Sequence, residues 1–470
     1  MDSQSHEADD HARSGRPLFN SDGTRAKWSR SDSAAADWAY SDRDFTTGFA
    51  ALEHNLTERW KAKLTLNRDR YEYDEVLGYA AGGNPNPATG AGVSLWAGRW
   101  EAKPVQTSFD LNLAGNFDLW GLEHDAVVGY TRQHTDYRTN GYPLWYFTGW
   151  SSAIPNIYTW DGSVPGEPPL VASSRIDYQE DQSAAYGSTR LRATDDLSFI
   201  LGARVSDWEN TVKTDYYNPA TKDSNVRRQE TGVVTPFAGV VYDLDEHWSL
   251  YASYTSIFKP QNSMTVSGSY IDPLEGNGYE VGSKAAFFDD RLNLGMALYE
   301  IKQDNLAVRD GNLNAPDGSP AYRAESGTKT RGVELEISGE LAPDWQASAS
   351  FSRNIVQNAD GKKLNTNVPQ NTFKLFTTYT LRDIGNGLTL GGGVNWQSEI
   401  YSDNQGPNKV RFTQDDYALV DVMARYPLTQ QLSATLNLNN LLDEKYYTNT
   451  SGSSYYGTPR NATLGLKYQF

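Results

Sequence analysis

The residues best suited to chemistry in this chain are aromatic. Gly141-Tyr142-Pro143-Leu144-Trp145-Tyr146-Phe147-Thr148-Gly149-Trp150 is an aromatic run, and Tyr158 and Trp160 extend it. On another segment Trp96 and Trp100 bracket Gly98-Arg99. Aromatic faces suit the organic shell of a bound molecule, and Arg99 can meet an anionic group on it. The same residues equally suit a loop-packing cluster or an interfacial aromatic girdle, and no local motif separates these uses. Catalysis has less to work with. The 6 histidines are scattered, and there is no G-x-S-x-G elbow, P-loop or dinucleotide-binding glycine pattern. His6 and His11 are five apart, whereas a zinc-peptidase helix needs the i, i+4 pair on one face. Asp310-Gly311-Asn312-Leu313-Asn314 with Asp317-Gly318 offers oxygen ligands for calcium, and reads as readily as an Asx-rich turn. We therefore read the chain as non-enzymatic, with no catalytic residue, no metal ligand and no cofactor of its own.

The elements that must position these rings are strands. Trp60, Ala62, Leu64 and Leu66 alternate with Lys61, Lys63, Thr65 and Asn67, giving one lipid-type face and one wet face. The pattern recurs at Leu197/Phe199/Leu201/Ala203/Val205, Trp248/Leu250/Ala252/Tyr254, Leu292/Leu294/Met296/Leu298, Trp345/Ala347/Ala349/Phe351, Leu388/Leu390/Gly392/Val394/Trp396 and Leu432/Ala434/Leu436/Leu438. At the end of the chain Leu464, Leu466, Tyr468 and Phe470 share one face, which suits a final membrane-inserting strand. No apolar run of roughly 18 residues occurs, so a transmembrane helix is excluded, whereas a barrel disperses its apolar residues at every second position. With 29 Tyr, 13 Trp and 40 Gly, composition favours the barrel. The absence of cysteine removes disulfides and zinc–cysteine sites. A net charge of −17 disfavours a nucleic-acid partner, which asks for a basic face.

Short turns are expected near 56–58, 119–121, 194–196, 244–246, 288–290, 342–344, 383–385 and 428–430. Long connections are expected near 76–95, 134–175, 214–228, 258–276, 306–327, 357–368, 399–414 and 442–458. Short turns at one end and long loops at the other mark an outer-membrane barrel, and this spacing predicts about 17 strands.

The end of the chain also carries a resemblance. Asn439-Asn440-Leu441-Leu442-Asp443-Glu444-Lys445-Tyr446-Tyr447, then Tyr455-Tyr456-Gly457-Thr458-Pro459-Arg460-Asn461, resembles the C-terminus of TonB-dependent outer-membrane receptors for ferric siderophores. Tyr254-Thr255-Ser256-Ile257-Phe258-Lys259-Pro260-Gln261, Tyr279-Glu280-Val281-Gly282-Ser283-Lys284, Gln303-Asp304-Asn305 and Thr330-Arg331-Gly332-Val333-Glu334-Leu335-Glu336 follow the family's order. Arg16-Pro17-Leu18-Phe19-Asn20-Ser21-Asp22-Gly23-Thr24 resembles an outer loop of the hydroxamate and pyoverdine receptor branch. The resemblance implies an all-β, antiparallel transmembrane β-barrel, with about 17 of an expected 22 strands present. Residues 1–42 would hold a partial strand and an extracellular loop, and residues 43–470 the C-terminal portion of the barrel.

The N-terminal plug and the signal peptide would be missing, leaving the chain inactive by itself. The resemblance further implies location in the outer membrane of a Gram-negative cell and a ferric siderophore as ligand, of hydroxamate type. Iron would arrive inside its chelator. Implied partners are the TonB complex through the missing N-terminal region, the barrel-assembly machinery through the C-terminal strand, and lipopolysaccharide. On this reading Trp96, Arg99, Trp100, Tyr142, Trp145, Tyr146, Trp150, Tyr158 and Trp160 line the ligand pocket, while Tyr446, Tyr447, Tyr455 and Tyr456 belong to the vestibule or the upper girdle. Alternatives are a passive porin-like channel, a soluble β-rich binding module, or a receptor for cobalamin, haem or oligosaccharide.

Overall fold

The computed structural model describes residues 2–8, 15–145 and 147–469. Tyr146, Phe470 and the histidine side chains of the His6–His11 stretch lie outside the described residues. Among those described the chain is built of antiparallel strands and contains no α-helix, the expected fold class. It divides into two compact units, Met1–Ala238 with Asn314–Pro320 and Gly406–Asn408, and Gly239–Leu313 with Ala321–Gln405 and Lys409–Phe470.

In the first unit strands follow one another in chain order. Asp2–Ala8 pairs with Tyr40–Asn55, which pairs with Trp60–Gly83. The first half of Trp60–Gly83 then pairs with Val105–Leu119, and its second half with Val93–Ala102. Leu122–Gly141, Ser174–Arg192 and Leu197–Tyr216 continue the sheet. The registers explain the alternation in the sequence. Directly opposed residues share a face, so Leu52, Leu64, Leu111, Tyr130, Ala185 and Val205 form one apolar row across six strands. One residue further along, Glu53, Lys63, Asn112, Gly129, Tyr186 and Arg204 form a row on the opposite, polar face. There Glu53 bridges Lys61 and Lys63 at 3.1 and 3.0 Å. On the apolar face Leu52 and Leu111 are 67% and 50% exposed, so this face is left uncovered by the described residues.

The second unit repeats the scheme from Trp248–Lys259 to Asn461–Tyr468. Leu250, Ser283, Met296, Leu335, Phe351, Phe373, Trp396 and Ala418 form a row on its apolar face. At the C-terminal edge Leu464 and Leu466 pair with Leu436 and Ala434, and Tyr468 with Leu432. All three lie on that face and are exposed. A recurring side-chain device closes several short turns. Thr57, Thr194 and Thr429 each accept, through the hydroxyl, backbone N–H groups two and three residues ahead, and Asp245 does so through its carboxylate.

Three of the expected long connections are more regular than the sequence pattern implies. Strand pairing continues to Gly83 and resumes at Val93 inside the expected 76–95 loop. Leu306–Asn314 pairs with Pro320–Glu325, and Ile400–Gln405 with Val410–Gln414. Backbone pairing survives there although the hydrophobic alternation read from the sequence does not. A cluster of fully buried apolar residues also sits at this long-loop end of the first unit. Leu18, Ala34, Ala36, Val76, Leu95, Ala97, Ile154 and Ile157 are all within 2% of full burial.

Candidate functional site

Four rings from three segments meet around Trp145. Tyr79 and Trp96 are directly paired across neighbouring strands, and Trp100 shares their face because strand side chains alternate. Trp145 leans on all three, with ring centroids 6.0 Å from Tyr79, 5.7 Å from Trp96 and 5.7 Å from Trp100. The Trp145 amide donates to the Ala97 carbonyl at 2.8 Å. Its φ of 70° is a left-handed conformation that a tryptophan adopts only when its surroundings enforce it, at a cost of about 1–3 kcal/mol. Gly98 permits the approach, since a Cβ there would stand 2.6 Å from the Trp100 ring and 2.9 Å from Leu144. The indole N–H groups of Trp96, Trp100 and Trp145 donate to nothing among the described residues. Three unclaimed donors beside four ring faces suit an organic ligand that carries oxygen acceptors.

Arg99 is placed elsewhere. One residue from Trp100, it points to the other face of the strand, where its guanidinium donates to Asp74 at 3.0 Å and Glu101 at 3.1 Å and stands 5.3 Å from the Tyr142 ring. Glu101 also accepts from Asn140 at 2.7 Å and from the Tyr142 hydroxyl at 2.8 Å. Burial pushes the Glu101 carboxyl up, but these hydrogen bonds and the Arg99 charge outweigh it and hold the group below its ordinary range. Burial first, then the bond to Glu101, raises the Tyr142 phenol. Arg99 and Tyr142 thus fasten the start of the loop instead of joining the Trp145 rings.

Trp150, Tyr158 and Trp160 are also committed. Trp160 is 9% exposed and its indole donates to Val164 at 2.5 Å. Tyr158 donates to Asn20 at 2.9 Å and lies 5.4 Å from Trp28. Buried Arg16 ties this region together, donating to the carbonyls of Ile157 at 2.8 Å, Trp160 at 3.2 Å and Ser33 at 3.0 Å. Burial lowers its pKa, with Asp32 opposing. Trp150 meets Phe147 edge-on and donates to Gly166 at 2.8 Å. In the second unit Tyr446 stacks on Tyr417 and Tyr447 on Tyr456, at 4.2 and 4.5 Å. The Asp317 carboxylate caps Ser319 through N and Oγ at 2.9 and 2.7 Å, the geometry of an Asx turn.

Sequence reasoning missed Tyr79. Tyr79 fell inside a stretch read as loop, and only the strand extension that carries it to face Trp96 would have exposed its role.

The residues 2–441 match the family model of the TonB dependent receptor-like β-barrel. The chain belongs to the TonB-dependent receptor β-barrel family. It is 40% identical over 98% of its length to the ferric-pyoverdine BN7/BN8 receptor of Pseudomonas putida, covering 56% of that protein. To the ferripyoverdine receptor of Pseudomonas aeruginosa it is 37% identical over 97% of its length, covering 55%. The crystal structure of the outer-membrane ferripyoverdine receptor of P. aeruginosa bound to ferripyoverdine superposes with a TM-score of 0.86 at 35% identity. That match covers 97% of this chain and 60% of the other. The chain therefore spans a little over half the length of the curated relatives it matches. Proteins of this family are outer-membrane β-barrels, so the exposed apolar rows are the surface that meets lipid. The relatives are receptors and not enzymes, and membership in this family sets aside the porin and soluble-module readings.

Proposed function

We propose that this chain supplies wall and outer loops to a TonB-dependent receptor that takes up a ferric siderophore of the pyoverdine, hydroxamate-bearing kind. The Trp145 cluster carries the reading. Its ring faces suit the organic shell of the chelate and its three indole donors, unpartnered among the described residues, suit chelate oxygens, so the metal needs no protein ligand. Trp96, Trp100 and Trp145, joined by Tyr79, are the proposed contacts, with Arg99 and Tyr142 as positioning residues. Similarity to receptors named for ferripyoverdine supports the ligand class. Uptake driven through the TonB complex, and insertion by the barrel-assembly machinery through the Leu464, Leu466 and Tyr468 face, are proposed for the whole receptor. So is lipopolysaccharide contact.

The test is equilibrium binding of ferripyoverdine to the receptor in outer-membrane preparations, read by quenching of tryptophan fluorescence. Trp96→Ala combined with Trp100→Ala is expected to weaken binding at least tenfold with the receptor amount unchanged. Undiminished affinity would remove the cluster from the site.

A further inference from the structure

The stretch that follows Trp145 leaves the sheet and returns to it around one residue of the ligand cluster. The Trp145 amide donates to the Ala97 carbonyl at 2.8 Å, and the Ser152 carbonyl accepts from the Leu95 amide at 2.8 Å. Both feet therefore stand on strand Val93–Ala102, one residue to either side of Trp96. Beyond Ser152 the chain runs on along that strand, Ala153 opposite Ser94 and Ile154 opposite Val93. Leu95 and Ala97 are fully buried, so the feet are fixed. They are about 7 Å apart, far less than the chain between them can span. The excess forms a bight beside Trp96. In it the Trp150 amide donates to the Phe147 carbonyl at 3.2 Å, and the two rings meet edge-on with centroids 5.8 Å apart. Thr148, Gly149 and Ser151 are exposed. Gly149 has a φ of 78°, and a Cβ there would meet nothing within 4 Å.

Three indoles donate to three consecutive carbonyls further along the same loop, Trp160 to Val164 at 2.5 Å, Trp38 to Pro165 at 3.2 Å and Trp150 to Gly166 at 2.8 Å. The first two hold residues 164–166 as a fixed post. Trp160 is nearly sealed, and the Trp38 ring lies so close on Gly78 that a Cβ there would strike it. The third bond differs from them. It is exposed, and among the described residues it is the one side-chain hydrogen bond that joins 147–151 to the rest of the chain. An exposed hydrogen bond exchanges with water at little net cost. The bight is thus firmly rooted at both ends and loosely moored at its middle.

We propose that residues 147–151 are a lid over the Trp145 cluster, moored open to Gly166 through Trp150 and closing on the bound chelate. Closure exchanges the Gly166 carbonyl for an oxygen of the ligand and lays the Phe147 and Trp150 rings on its organic shell. The open mooring leaves Trp96 37% exposed, so entry needs no movement of the lid. Trp150 therefore governs how long the ligand stays, not how fast it arrives. The proposal rests on the ligand reading of the Trp145 cluster and adds a moving part to it.

The chain contains no cysteine, so Thr148→Cys, in a receptor free of other cysteines, carries a single nitroxide at the crown of the lid. The labelled receptor is titrated with the diamagnetic gallium(III) complex of pyoverdine. Label mobility is read by electron paramagnetic resonance while tryptophan quenching reports occupancy. The mobile component is expected to fall at least twofold at saturation. Trp150→Phe, which keeps a ring and loses the N–H, should raise that component before ligand is added. In stopped flow, Trp150→Ala should speed dissociation of ferripyoverdine at least fivefold and leave association within twofold. Heat-modifiable gel mobility shows that each variant is folded. An unchanged label spectrum in an occupied receptor overturns the lid, as does a mobility that Trp150→Phe leaves unaltered or an equal effect of Trp150→Ala on both rates. Absence of quenching in the unlabelled receptor overturns the ligand reading, and the lid with it.

Discussion

Two aromatic clusters in the outer part of the first unit use the same residue types to opposite ends. Around Arg16, the rings of Trp28, Tyr158 and Trp160 give every indole N–H and phenol O–H a partner, and Trp160 is nearly sealed. Around Trp145, the indole donors of Trp96, Trp100 and Trp145 find none among the described residues, and Trp96 is 37% exposed. Buried polar groups are expected to be satisfied, so the first cluster behaves as a core. The second leaves donors and faces available while its backbone is held in a strained conformation, which is how a pre-organised binding surface differs from a packing cluster.

The largest effect should come from breaking the first cluster. Arg16→Ala leaves buried carbonyls without their charged donor, at a cost of about 2–4 kcal/mol. Limited proteolysis of the 15–39 segment should rise sharply while the strands stay protected. If cleavage is unchanged, Arg16 is not the tie. In the second cluster, Trp145→Ala removes the central ring. A ferripyoverdine titration should then show roughly tenfold to thirtyfold weaker affinity, about 1.4–2 kcal/mol, with little change in thermal stability. A fall in stability matching the loss of affinity would erase the distinction between the clusters.

A finer comparison exchanges indole for phenyl in each. Trp160→Phe should cost about 1 kcal/mol of local stability and leave affinity alone, whereas Trp96→Phe should do the reverse, weakening the ligand a few-fold. The opposite pattern in either variant would reassign that ring. The smallest effect concerns the fastening between strand and loop. Because Glu101 is held below its ordinary range, its contribution is complete above about pH 4.3 and is lost as pH falls through the lower, folded-state value. Cleavage of the 142–173 loop by an acid-active protease should therefore increase on acidification below pH 4. Glu101→Gln should flatten that dependence, and a pH-independent wild type would show that the carboxylate does not hold the loop.

The wall was legible in the sequence because its physics is periodic. Trp60, Ala62, Leu64 and Leu66, or Leu432, Ala434, Leu436 and Leu438, alternate because one face meets lipid and the other water. Thr57 and Asp245 likewise announce turns through local hydrogen bonds that need no distant partner. What tertiary structure alone decided lies where that period stops. Adjacent Arg99 and Trp100 read as one patch, yet the strand sends them to opposite faces, one to Asp74 and Glu101 and the other to Trp145. Trp160 and Trp145 look alike as residues in one loop. Only packing against Arg16 in one case, and against Tyr79 in the other, separates a core from a binding surface. Composition places aromatic residues in the loops, but which of them remain unsatisfied depends on contacts between segments far apart in the chain.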